Sequence, residues 1–291
     1  MTWLVVGASG QLGKSVCEVL EERGIKYVGA NSTELDITKP LLVNSFVEFL
    51  KPSVIVNAAA YTDVDGAETD KEAAKLLNSN GPGILAMAAK GVGAIIVHVS
   101  TDYVFSGTGN LPYLEEAIRA PQSVYGETKA QGEQNVLDAY SSKSYVIRTA
   151  WLYSAYRNNF AKTMVKLASK DEADVLVVTD QIGQPTFARD LALQIVESIQ
   201  KKIPFGVYHG TNSGQTSWFE FAQEIFRLMG AEVARVKPVG SDAFPRPAKR
   251  PAYSVLGHDK WVGSGVDEMR DWKIALAEAM PAIVSAVKAE G

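Results

Sequence analysis

The stretch "TWLVVGASGQLGKSVCEVL", residues 2–20, decides the fold. A near-continuous apolar run ends at a turn holding Gly7, Gly10 and Gly13 at three-residue spacing, and helical periodicity starts at about Leu12. An apolar run without alternation predicts a strand buried on both faces, as in a parallel sheet. Glycine in the turn supplies unusual backbone angles and lets a pyrophosphate approach the free amides of the helix N-terminus. The spacing departs by one residue from G-x-G-x-x-G. Its place, at the first strand-to-helix turn, is what gives it weight as a dinucleotide site.

Outward from this turn the rhythm repeats. "YVGA" (27–30), "SVIVNAAA" (53–60), "AIIVHVS" (94–100), "SYVIRTA" (144–150) and "VLVVT" (175–179) read as strands separated by helices. The fold class is therefore α/β, a doubly wound parallel sheet (Rossmann-like) with a second, smaller C-terminal substrate lobe. From about residue 151 the pattern loosens, and the loop at 238–257 is rich in Pro, Gly and Ser. The expected division gives residues 1–150 plus about 175–203 to the dinucleotide-binding domain. Residues from about 151–174 plus 204–291 go to the substrate-binding lobe.

With 291 residues, 46% hydrophobic and 21% charged, the chain has material for one large core and a lesser one. A net charge of −4 offers no general attraction for nucleic acid or anionic lipid. No segment is apolar for long enough to span a bilayer, and the chain runs directly into its first strand, so a cytoplasmic location is expected. The single cysteine, Cys17, reads as a small helix side chain. His98, His209 and His258 lack ligand spacing, which leaves redox or acid-base work to other groups.

"SVYGETKAQGE" (123–133) supplies them, placing Tyr125 and Lys129 one helical turn apart. A phenol titrates near pH 10, and a nearby ammonium stabilises its anion. "VSTDYVF", at the end of the fourth strand, adds Ser100 and Thr101 at the sheet's carboxyl edge, so three polar groups converge where such folds bind ligands. At the end of the second strand Asn31 and Ser32 are neutral, and the choice between NADH and NADPH stays open.

Together "GASGQLG", "NAAAYTDVDGAE", "STDYVF", "YGETK", "RTAWLY", "NNFAKTM", "DQIGQPT" and "RPAYSVL" resemble the extended short-chain dehydrogenase/reductases, and within them the dTDP-4-dehydrorhamnose reductases. The resemblance implies NAD(P)H-dependent reduction of a nucleotide sugar's C4 carbonyl. Tyr125 would protonate the carbonyl oxygen, Thr101 would polarise it, and Lys129 would lower the tyrosine's pKa and bind the nicotinamide ribose. Gly7, Gly10, Gln11, Leu12 and Gly13 match the pyrophosphate turn, Asp36 and Ile37 the adenine contact, and Ala60, Tyr61 and Thr62 the loop after the third strand. Asp102, Tyr103 and Trp151 match positions near the sugar.

The reaction type follows from one residue. Similar 4,6-dehydratases follow the threonine with Asp-Glu, whereas here Tyr103 follows Asp102, which favours simple reduction. A non-catalytic NADP-binding subunit, like the beta subunit of methionine adenosyltransferase, also keeps the Tyr-Lys pair and stands as the alternative, as does reduction of another nucleotide-4-ketosugar. Some family members are magnesium-dependent dimers. Ser15 and Arg189 fall where two of their bridging glutamates would stand, so no bridging magnesium is expected, and a homodimer is left open. Arg250, in the proline-rich loop, is a candidate for the nucleotide diphosphate. Trp218, Phe219, Phe221 and Phe226 read as the core face of a helix.

Overall fold

The computed structural model describes residues 1–170 and 173–290. The first half alternates as expected: β1 (Trp3–Val6), α1 (Gln11–Glu22), β2 (Tyr27–Ala30), α2 (Pro40–Leu50), β3 (Val54–Asn57), α3 (Lys71–Lys75), α4 (Gly81–Val92), β4 (Ile95–Thr101), α5 (Val124–Tyr140) and β5 (Ser144–Thr149). The second half is more broken: β6 (Leu152–Tyr153), α6 (Phe160–Ala168), β7 (Val175–Val178), β8 (Ile182–Gly183), β9 (Thr186–Phe187), α7 (Ala188–Lys201), β10 (Gly206–His209), β11 (Thr216–Ser217), α8 (Trp218–Leu228), β12 (Val236–Val239) and α9 (Trp272–Glu290).

Six strands form one sheet in the order β10-β5-β4-β3-β1-β2, every neighbour parallel. Strand order reverses between β1 and β3, and a crevice opens there at the carboxyl edge. One face is covered by α1 and α7, burying Val16, Leu20, Leu191 and Ile195; the other by α2, α4 and α5, burying Val43, Val47, Leu85 and Val136. Burial on both faces explains why β1 and β3 are apolar at nearly every position.

A second apolar core gathers α6, α8 and α9 around Phe221, Phe226, Trp272 and Ile283. Here the expected boundaries shift at both ends. Val175–Val178 does not enter the large sheet; it pairs with β12 beside the second core. The sixth sheet strand is instead β10, pairing with β5. Apolar content alone does not tell a strand which sheet it joins, and α7 feeds β10 through the left-handed Lys202. Among the described residues, no helix is long and apolar enough to cross a membrane.

Candidate active site

The turn after β1 is shaped for close approach. Gly7 takes φ +78°, and a Cβ there would lie 2.7 Å from the Ala59 amide nitrogen, so only glycine lets the turn pass under the loop after β3. Gly10 caps α1 without any side-chain hydrogen bond, leaving the helix's first amides to whatever anion enters. The residues present thus fit a dinucleotide pyrophosphate.

The cleft above this turn has a volume of about 700 Å³. It brings together Gly7, Gly10, Gln11, Leu12, Asp36, Ile37, Ala60 and Thr62 from the first half of the expected set with Thr101, Asp102, Tyr103, Tyr125, Lys129 and Trp151 from the second. Two expected cofactor contacts lie outside its lining. Gly13 is buried in the first turn of α1, packed on the Gly7 carbonyl. Tyr61 is pinned by Asn78, which accepts from its amide at 2.8 Å and donates to its carbonyl at 3.1 Å.

Sequence reasoning missed part of the cleft. Arg157 and Asn158 line it, and the Arg157 Nε donates to the Ser9 carbonyl at 2.9 Å, setting a guanidinium over the glycine turn. Gln11 Oε1 accepts from Ser154 and Asn159, which folds the 152–159 segment onto the start of α1. The polar run "RNN" after "RTAWLY" is the only hint the sequence carries.

At the inner end, Ser123 caps α5 by accepting from the Gly126 amide at 3.2 Å and so fixes Tyr125 in the first turn. The phenol stands edge-on to Tyr103, ring centroids 5.4 Å apart. Burial pushes it up to about 12, with the Thr101 hydroxyl pulling down against that rise and Asp102 adding to it. Lys129 is buried and gives its ammonium to the Val99 carbonyl at 2.6 Å; desolvation pulls it down to about 8 while Glu133 holds it up. The Lys129 ammonium is thus engaged by a carbonyl, and the Thr101 hydroxyl is what opposes the rise of Tyr125.

Thr101 Oγ1 donates to Asp102 Oδ1 at 2.9 Å. Asp102 is buried, its Oδ2 finds no hydrogen-bond partner among the described residues, and desolvation raises it to about 6 against the opposing hydroxyls of Ser254 and Thr101. On the next strand Thr149 sits in register with Thr101 at the cleft floor.

A second, outer cavity of about 780 Å³ adjoins the cleft at Tyr103 and Trp151, which line both. Its lining combines apolar side chains, Phe160, Leu176, Trp218 and Phe244, with the cationic Arg246, Lys249 and Arg250. Arg250 thus lies in the outer cavity, where its Nη2 donates to Asp65 at 2.9 Å. Trp218, read from sequence as a core residue, also lines this cavity, whereas Phe221 and Phe226 are fully buried as expected.

The pattern of the RmlD substrate binding domain matches residues 1–284. The chain belongs to this family. Among its relatives, the dTDP-4-dehydrorhamnose reductase of Streptomyces griseus is 45% identical over 97% of this chain and 93% of that protein. The dTDP-4-keto-6-deoxy-D-glucose reductase of Streptomyces niveus is 43% identical over 96% of both. The crystal structure of the Bacillus anthracis dTDP-4-dehydrorhamnose reductase in complex with NADP superposes with a TM-score of 0.92, at 38% identity, over 96% of this chain and 98% of that one. The doubly wound fold read from the glycine turn is that of these RmlD-family reductases.

Proposed function

We propose that this chain reduces the C4 carbonyl of a dTDP-4-ketosugar, dTDP-4-dehydrorhamnose first among them, with a nicotinamide cofactor. The observation that carries the reading is one cleft holding a glycine turn at one end and Thr101, Tyr125 and Lys129 at the other. The relatives' printed activities support the sugar-nucleotide class.

A bound NAD(P)H supplies the hydride. Gly7, Gly10 and the amides of α1 would hold its pyrophosphate, with Arg157 adding charge, and Asp36 and Ile37 would take the adenine. Tyr125 gives its phenolic proton to the C4 oxygen. A phenol raised to about 12 is fully protonated at neutral pH, so the proton is in place before the reaction begins. Thr101 turns its hydroxyl from Asp102 to the same oxygen and offsets the charge developing there. Lys129 keeps a positive charge below about pH 8 and steadies the phenolate that Tyr125 leaves behind.

In this reading the large sheet with α7 and β10 forms the cofactor-binding part. The core of α6, α8 and α9, with the loop at 238–257, takes the nucleotide. The apolar lining of the outer cavity suits a base, and its arginines and lysine suit a diphosphate.

The test is steady-state loss of NADPH and NADH absorbance with dTDP-4-dehydrorhamnose and with dTDP-4-keto-6-deoxy-D-glucose. Turnover of either supports the reading and ranks the substrates. Tight cofactor binding with no oxidation by either sugar would instead support a non-catalytic NADP-binding subunit.

A further inference from the structure

Trp151 has φ +45°, a conformation that a bulky residue adopts only where its surroundings over-determine it. Its carbonyl accepts from the Thr186 amide at 3.2 Å, so the strained backbone is pinned. Two contacts fix the indole. Trp218 stacks on it, ring centroids 3.6 Å apart and planes within 10°. Gly183 lies so close that a Cβ there would stand 2.6 Å from Trp151 Cε2 and 2.7 Å from Cζ2.

Both contacts come from one small unit. Gly183 pairs with Thr216 in the antiparallel ladder of β8 and β11, and Trp218 follows β11 directly as the first residue of α8. There Ser217 and Glu220 form a reciprocal cap, which fixes the direction in which Trp218 leaves the helix start. A ring is rigid, so a methyl group at 183 displaces Trp151 rather than bending it.

We propose that Gly183 is a positioning residue that, together with the stacked Trp218 of the outer cavity, seats the Trp151 indole as the wall where the inner cleft and outer cavity meet. This seat sets affinity for the nucleotide sugar and spares the cofactor's pyrophosphate end, because Trp151 lines both cavities while the glycine turn and Arg157 line the inner cleft alone. The inference rests on the reading that the sugar nucleotide lies across both cavities.

The test uses the full chain with Gly183→Ala, Trp218→Leu and Trp218→Phe, and reads three quantities: the far-ultraviolet circular-dichroism couplet of stacked indoles, KM and kcat for dTDP-4-dehydrorhamnose, and the Kd of NADPH by fluorescence. Gly183→Ala is expected to weaken the couplet and raise KM about 10–100-fold, the scale of a misplacement near 1 Å, with the NADPH Kd unchanged. Trp218→Leu abolishes the couplet and raises KM alike, while Trp218→Phe recovers most of the affinity. A lost couplet with KM at the wild-type value overturns the proposal. So does a parallel rise in KM and NADPH Kd, which marks general loosening. Should the wild-type chain not turn over the sugar, the functional reading fails separately, and the same variants are judged on their Kd for dTDP.

Discussion

The Ser100 hydroxyl donates to Glu133 Oε1 across 2.6 Å, both groups buried. Arg148 grips the same carboxylate through Nε at 2.9 Å and Nη2 at 2.8 Å. The end of β4, which carries Thr101, is thereby locked to α5, which carries Tyr125 and Lys129. Glu133 lies one turn past Lys129 and holds its proton on against desolvation.

Glu133→Gln should therefore move a pH limb. Lys129 is charged below about 8 and neutral above it, so kcat/KM of the native chain falls as pH rises through about 8. Without the Glu133 charge that limb shifts to lower pH. The variant should also lose roughly 3–5 kcal/mol of stability, because Arg148 is left buried and uncompensated. A pH–rate profile and urea midpoints check the two effects. An unmoved limb means that the Lys129 charge does not matter to the rate.

Tyr125→Phe removes the proton and keeps the ring against Tyr103. Loss of a positioned general acid costs about 10²–10⁴-fold in kcat, with NADPH affinity retained, as single-turnover kinetics and fluorescence titration would show. Since burial holds the phenol near 12, the native profile has no limb from Tyr125 around neutrality. Wild-type kcat in the variant would remove Tyr125 from the chemistry.

Most of the fold was legible because β1, β3, β4 and β5, buried along most of their length, announce themselves as mostly apolar runs between helices. β10 was not, since "GVYH" is short and its membership depends on a neighbour, β5, that lies some sixty residues earlier in the chain. The same limit applies at the site. Tyr125, Lys129 and Thr101 share one cleft as the spacing on α5 and the end of β4 suggested. Arg157 reaches the glycine turn, and Lys129 turns to the Val99 carbonyl, through contacts of 148 and 30 residues' separation that no local pattern encodes.

Arg250→Ala separates two roles of one arginine. Its guanidinium donates to Asp65 Oδ2 at 2.9 Å, while Asp65 Oδ1 accepts from the Ala248 amide at 3.2 Å, so one carboxylate staples the cationic loop to the segment after β3. If Arg250 meets the diphosphate, dTDP affinity drops about 10-fold or more, the scale of a charge-assisted hydrogen bond. Asp65→Asn, which keeps the loop's hydrogen-bonding groups but frees the arginine's charge, should lose less. Calorimetric titration with dTDP compares them, and equal losses would make Arg250 a staple only.

Chelation should leave both activity and molecular mass unchanged. Arg189 holds Glu22 through two hydrogen bonds of 2.8 Å, and Ser15 is buried on α1, so a guanidinium and a hydroxyl stand where carboxylates would be needed to gather a divalent cation. Light scattering and turnover before and after EDTA provide the check. A fall in mass or rate on chelation would point to a cation held elsewhere.

Asp102→Asn should stabilise the protein while impairing it. Folding raises this carboxyl from 3.8 to about 6, so between those values the folded state binds more protons than the unfolded one, and stability falls as pH rises. The rise from 3.8 to about 6 corresponds to roughly 3 kcal/mol, present in full at pH 7 and vanishing as pH falls below 3.8. The amide carries no charge to desolvate and still offers an oxygen to the Thr101 hydroxyl. Urea midpoints of the variant should exceed the native chain's at pH 7 and converge with them near pH 4. Turnover should drop, because Asp102 lines the cleft where the sugar is proposed to lie and accepts from the Thr101 hydroxyl. Equal stabilities at both pH values would show that Asp102 is solvated in solution and that its buried charge carries no cost.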